Sequence, residues 1–211
     1  YLESVDIHEQ SRDSGFVMPV QRVCRPNHTF RGFQGQIESG SVQTGDQLTV
    51  LPGGEKAKVR SILVTDQETE RAFEGQPVTI QLDREIDVSR GCVLERESGL
   101  KVSSMFSAML LWMDDELLVS GRNFYVKLGT QMLPAVVMNI KYKIDVNSGE
   151  HIPVNQIYKN EIACCDVVLS EKCVMDKFTG HRALGSFVLI DRITNMTSAC
   201  GVIRHSLRRA D

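Results

Sequence analysis

FRGFQGQIESGSVQTGDQLTVLPGGEKAKVRSI, residues Phe30 to Ile62, alternates apolar and polar side chains between glycine-marked breaks. Arg31 to Glu38 alternates around Phe33 and Ile37, and Ser39-Gly40 ends that run. Val42 opens a short return, Gly45-Asp46 turns the chain into Leu48, Val50 and Leu51, and Pro52-Gly53-Gly54 turns it again. Ala57, Val59 and Ile62 then follow at mostly two-residue spacing. Side chains of a strand point to opposite faces in turn, so this period marks half-buried strands. Glycine at the breaks supplies the positive φ that tight antiparallel turns require. The stretch therefore predicts the start of a small antiparallel barrel or sandwich.

Outward from this stretch the same grammar continues. Upstream, Phe16, Met18, Val20 and Val23 read as the first barrel strand, with a turn at Arg25-Pro26-Asn27. Downstream come a polar segment at Thr65–Glu70, a strand at Val78–Leu82, a charged stretch at Asp83–Asp87 and a short strand at Cys92–Leu94. Strands are then predicted over 102–112, 124–128, 134–144, 161–169, 185–190 and 200–203, with Val136, Met138, Ile140 and Tyr142 expected to share one face. Helix is scarce. The expected organisation is a leading tail and linker over 1–14, a first barrel over 15–98 and a second over 99–211. The fold class is all-β, two consecutive antiparallel barrels.

Composition narrows the function classes. The chain has 211 residues, 42% hydrophobic and 24% charged, a formal charge of −3 and a pI near 6.0. That length holds one large domain or two of about 100 residues. An acidic balance supplies no electrostatic attraction for nucleic acid. The apolar run Met109–Met113 is too short to cross a bilayer, and no signal-peptide pattern opens at Tyr1, so a cytoplasmic protein without a membrane role is expected. The 6 cysteines show no C-x-x-C pair and no zinc spacing, and they read as reduced, buried or half-buried thiols.

The order of turns also resembles a known family. The run G-x-I-x-x-G-x-V-x-x-G-D-x-L-x-V-x-P, Gly35 to Pro52, is similar to the second domain of translation-factor-type GTPases. In the second half, Leu110–Gln131, Tyr142–Glu150, Asn160–Leu169 and Gly185–Ile203 resemble the third domain of one branch. That branch is the large, GTP-binding subunit of bacterial sulfate adenylyltransferase, including fusions with adenylylsulfate kinase. The run FVLIDRITNMT, Phe187 to Thr197, carries the resemblance furthest. The resemblance implies that Tyr1–Asp6 is the tail of a helix from a preceding GTPase domain. GTP and magnesium would bind that domain, and a catalytic small subunit would act on ATP and sulfate. The partners implied are that small subunit and the chain's own GTPase domain. A barrel from a translation-type GTPase holding aminoacyl-tRNA, or a plain interaction module, stands as the alternative.

The residues themselves encode no nucleotide chemistry. There is no G-x-x-x-x-G-K-[ST] loop, no N-K-x-D motif and no H-E-x-x-H. No catalytic, cofactor-binding or metal residue is assigned. Arg22, Arg25 and Arg31, with His28, form a local basic cluster, read as a contact with another domain or subunit, or else as a solvated strand edge. Asp114-Asp115-Glu116 reads as a solvated turn rather than a metal site. Asp191 and Arg192, neighbours on a strand, are expected to find separate partners. Trp112 is expected in a core or an interface.

Overall fold

The computed structural model describes residues 15–27, 30–65 and 67–207. The expectations for Tyr1–Asp6 and His28 fall outside them. The first sheet contains β1 (Phe16–Pro19), β2 (Arg22–Asn27), β3 (Phe30–Gln36), β5 (Gln47–Leu51), β6 (Glu55–Val64), β7 (Gln67–Thr69), β9 (Pro77–Leu82) and β10 (Val93–Arg96). Its order is β1-β10-β5-β6-β9-β3-β2, with β7 on β6. The short strands β4 (Ser41–Gln43) and β8 (Arg71–Phe73) pair with each other. The sequence reading joined β1 and β2 into one strand, but the chain bends at Val20-Gln21 and changes partner, from β10 to β3. This bent segment meets both ends of the strand path and so closes the barrel.

Turn chemistry works at Gly40 and Gly45 as the pattern suggested, with φ of 70° and 91°. Gly35, inside β3, is needed for closeness: a Cβ there would lie 2.3 Å from the Pro19 carbonyl oxygen, where β1 crosses β3. Phe16, Met18, Phe33, Ile37, Leu48, Val50 and Ile62 fill the core at 2% exposure or less.

The second sheet is a ring. It comprises β11 (Lys101–Trp112), β13 (Asn123–Leu128), β14 (Gln131–Ile144), β17 (Ile162–Met175), β18 (Ser186–Asp191) and β19 (Thr197–Leu207). The order β13-β18-β19-β11-β17-β14 closes by a further β13–β14 pairing, giving a six-stranded barrel. β15 (His151–Ile152) extends β14, and β12 (Leu118–Val119) pairs with β16 (Gln156–Ile157). One helical turn, α1 (Arg182–Gly185), precedes β18. The expected apolar face Val136-Met138-Ile140-Tyr142 is corrected. Ala135 and Val137 point inward, and a register shift between Val137 and Asn139 then hands the inward face to Ile140, leaving Met138 exposed. Cys165 and Cys173 are core residues whose thiols burial pushes up to about 12. Cys164, on the opposite face, lies against the Ser107 hydroxyl.

A third apolar cluster joins the barrels: Val17 and Val93 from the first, Val174 and Leu184 from the second, with Leu51, Leu100 and Val102 around them. This explains why β1 is buried on both faces. Phe16 and Met18 enter their own barrel, while Val17 enters the seam.

Candidate functional site

Two of the three arginines singled out in sequence meet in one cleft. β2, β3, β6 and the segment after β9 enclose about 540 Å³ lined by Arg25, Phe30, Arg31, Arg60, Arg84 and Glu85, among others. Arg25 and Arg31 both reach Glu85 Oε2, at 3.1 and 2.6 Å. Arg31 also donates to the carbonyls of Ile86 (2.9 Å) and Val88 (3.1 Å), and its guanidinium lies 5.0 Å over the Phe33 ring. Its side chain is only 18% exposed, so it ties the segment after β9 to the barrel wall. Arg25, at 57%, faces outward. Arg22 is exposed on β2 opposite Gln34 and is not among the lining residues. Arg60 and Arg84 were not anticipated. Lys56, Lys58 and Arg60 alternate on the exposed face of β6, which was a readable signal, whereas Arg84, bonded to the Lys56 carbonyl, comes from a loop. Four arginines against Asp83 and Glu85 make this cleft locally positive on an acidic chain.

A second polar centre caps the other barrel. Arg122 reaches Glu116 at 2.9 Å, Asp191 at 3.3 Å and Asp114 at 3.9 Å. Its guanidinium lies over the rings of Trp112 and Phe124, 5.6 and 5.2 Å from their centroids. The acidic turn is thus held partly by Arg122 and not merely solvated, while Asp115 pairs with Lys159. Burial raises the Asp114 pKa, but the Ser198 hydroxyl, the Glu116 amide and Arg122 outweigh it and hold the carboxyl below its usual range. Asp191 and Arg192 find separate partners, Arg192 lying over Tyr125. Among the described residues, no group of three or more His, Cys, Asp and Glu converges as metal ligands.

The amides of Thr194 and Ile193, aided by Arg122, lower Asp191 to about 2. A depressed carboxylate contributes stability above its ordinary pKa and loses it as pH falls through the folded value. The amide signals of Ile193 and Thr194 should therefore hold steady from neutral pH to about 4 and shift together toward about 2. In Asp191→Asn that acid transition should vanish. An unchanged transition in the variant would assign it to another group.

Across the seam, Ser39 Oγ lies 3.0 Å from His181 Nε2, and His181 Nδ1 lies 2.8 Å from Asp176 Oδ2. The order is that of a nucleophile, base and orienting acid, but the surroundings are not. Ser39 donates its hydroxyl proton to the Gly15 carbonyl, and Ser39 and His181 are each 5% exposed between the barrels. Their separation of 142 residues left no signal in sequence. The Ala183 amide donates to Glu38 beside them, so the trio serves the seam. Next to it the barrels leave an apolar cleft of about 880 Å³, with Met109, Leu111, Phe187, Val188 and Val202 in its wall.

Among solved structures, the fold is similar to Sup35 complexed with GDP, with a TM-score of 0.85 and 21% identity over 99% of this chain and 51% of that one. Elongation factor SelB from Methanococcus maripaludis, apo form, matches with a TM-score of 0.76 and 21% identity over 98% and 46%. Such likeness speaks for the fold alone. A family model described as GTP-eEF1A C-terminal domain-like matches residues 105–204, inside the second barrel. Sulfate adenylyltransferase subunit 1 of Bacteroides fragilis is 41% identical over 212 residues, covering 100% of this chain and 44% of that protein. That likeness runs from one end of this chain to the other. The Sulfurovum sp. subunit 1 is 37% identical over 219 residues, covering 100% of this chain and 46% of its own length. The bifunctional enzyme NodQ of Rhizobium sp. is 38% identical over 212 residues, 33% of its length. The chain therefore spans less than half of these subunit 1 relatives. No helix among the described residues is long and apolar enough to cross a membrane.

Proposed function

We propose that this chain is the two-barrel portion of the GTP-binding subunit of a sulfate adenylyltransferase, an assembly that transfers the adenylyl group of ATP to sulfate, forming adenosine 5′-phosphosulfate and releasing pyrophosphate. The observation that carries the reading is the contrast in identity: 41% end to end with a named subunit 1, against 21% with translation factors of the same fold. The barrels do no bond chemistry in this reading. GTP and its magnesium belong to the part of the relatives' length outside this chain. Among the described residues none fits a phosphate cradle, since α1 has 4 residues and no side-chain cap at His181. What the barrels supply is a rigid relay, supported by the apolar cluster and the Ser39–His181–Asp176 chain in the seam. The interbarrel cleft is the face offered to the GTP-binding domain. The arginine cleft is a contact for an acidic surface on a neighbouring domain or the catalytic subunit.

Calorimetry tests the first half: the chain should take up neither GTP nor ATP at micromolar concentration, and clear GTP binding would overturn the assignment. The second half is tested on the full-length subunit with its catalytic partner. Arg25→Glu combined with Arg60→Glu should slow association, more at low salt than at moderate salt, because rim charges act chiefly on encounter. Arg31 is a poor probe because its loss would free the segment after β9. Identical association rates at both salt levels would remove the arginine cleft from the interface.

A further inference from the structure

The guanidiniums of the arginine cleft converge from separate elements: Arg25 from β2, Arg31 from β3, Arg60 from β6 and Arg84 from the segment after β9. Four arginines against two carboxylates, Asp83 and Glu85, leave its lining with a formal charge of +2. Asp83 is engaged by the Lys58 amide at 2.9 Å, and Glu85 gives a single oxygen to both Arg25 and Arg31. The remaining donors are poorly matched. Arg60 is exposed and has no hydrogen-bond or ion-pair partner among the described residues, and Arg25 meets only Glu85 there. Arg31 Nε is buried without an acceptor, so this guanidinium also carries its charge incompletely matched.

Glu85 stands in the cleft as an anion of the chain's own. Its side chain is 73% exposed, so it can swing into water at small cost. Arg31 would stay in place without it, on the carbonyls of Ile86 and Val88, and Arg84 is anchored on the Lys56 carbonyl. The arginine frame therefore does not depend on Glu85.

We propose that this cleft is a binding site for a small, doubly charged oxyanion of the sulfate or phosphate class, which displaces Glu85 from Arg25 and engages Arg60. Charge and shape both favour that class. A dianion matches the formal +2 of the lining, whereas a monovalent ion leaves half of it. A tetrahedral oxyanion presents acceptors in several directions and suits guanidiniums arriving from separate strands. A planar carboxylate does not, and Glu85 reaches only two of the four. One concave cluster on a chain of net charge −3 is also not the extended basic track that nucleic acid requires. The site stands without the subunit reading. The acidic surface proposed above would meet the same guanidiniums, so anion and surface compete.

Inorganic sulfate is the probe, because it stays doubly charged across the neutral range. Titrated into the chain at low salt, it should shift the Nε–H signals of Arg25 and Arg60 to saturation, and KCl of equal ionic strength should not. Arg25→Gln with Arg60→Gln should weaken sulfate binding at least about tenfold, the loss of two charge-assisted hydrogen bonds. Glu85→Gln should tighten it about fivefold by removing the internal competitor. Arg22→Gln, on β2 outside the cleft, should leave it within about twofold. Melting temperatures should stay near the parent's, because all these side chains are exposed. Inorganic phosphate, which gains its second charge near neutrality, should bind more tightly as pH rises through that ionisation, while sulfate binding stays level. Shifts that KCl reproduces, or a Glu85→Gln variant that binds sulfate no more tightly, overturn the proposal. With the full-length subunit and its catalytic partner, sulfate should slow association more than KCl does at equal ionic strength. Saturable binding without that slowing keeps the oxyanion site and removes the acidic surface from the cleft, so the two readings fail separately.

Discussion

Trp112→Ala should cost the second barrel about 3–5 kcal/mol, the range for removing a large aromatic from a packed core. Trp112 is fully buried. It meets Phe124 edge-on, with ring centroids 5.8 Å apart, and donates its Nε1 hydrogen to the Glu116 carbonyl at 2.8 Å. Truncation would therefore open a cavity, leave the Glu116 carbonyl without its donor and remove the aromatic face beneath Arg122. The cavity dominates: one lost hydrogen bond costs about 1 kcal/mol, less than half of the whole. Urea unfolding followed by circular dichroism measures the loss. Trp112→Phe, which keeps most of the volume, should cost clearly less. As the chain's 1 tryptophan, Trp112 also reports on the unmodified barrel, with emission that shifts to the red only when the second barrel opens. If the alanine variant unfolds at the same urea concentration, the side chain is not the keystone its burial indicates.

Gly185→Val should be nearly as damaging for a different reason. A Cβ at Gly185 would lie 2.4 Å from the Phe178 Cα and 2.5 Å from its nitrogen. These are backbone atoms, which cannot swing away as a side-chain tip can. Relief requires moving the 176–180 segment, which carries Asp176 and leads into His181. Overpacking of this kind costs about 1–3 kcal/mol, and the upper end is expected because strand β18 begins at the next residue. The seam should also loosen. Amide exchange should accelerate at Ala183, whose hydrogen bond crosses to Glu38, before it accelerates in the barrel cores. Unchanged exchange at Ala183 in a destabilised variant would show that the strain is absorbed elsewhere.

Particular residues show where the chain was legible. Val42, Leu48, Val50, Ala57 and Val59 stand at the core positions their alternation implies, because a strand with one solvated face writes its burial into local sequence. The breaks at Gly40 and Gly45 were readable because few other residues accept those dihedrals. Val17 was not readable: an apolar residue between apolar neighbours has no period, and only the second barrel gives it a place to bury. Met138 misled because a bulge resets the face without changing composition. In the site, Arg25 and Arg31 stood out by proximity in sequence, whereas Arg84 and Glu85 entered only because the segment after β9 folds back upon them.

By itself, the amino-acid sequence determined that this is an all-β chain with tight glycine turns, and that it is alike end to end to sulfate adenylyltransferase subunit 1. Both are properties of local order along the chain, where each residue's role follows from neighbours a few positions away. Tertiary structure alone decided which strands close each barrel, that Ser39 meets His181 across the seam, that Arg122 gathers Asp114, Glu116 and Asp191, and that Ile193 is left outside. Those pairings join residues far apart in sequence. They depend on strand order and on where bulges shift the register, which short-range periodicity does not encode.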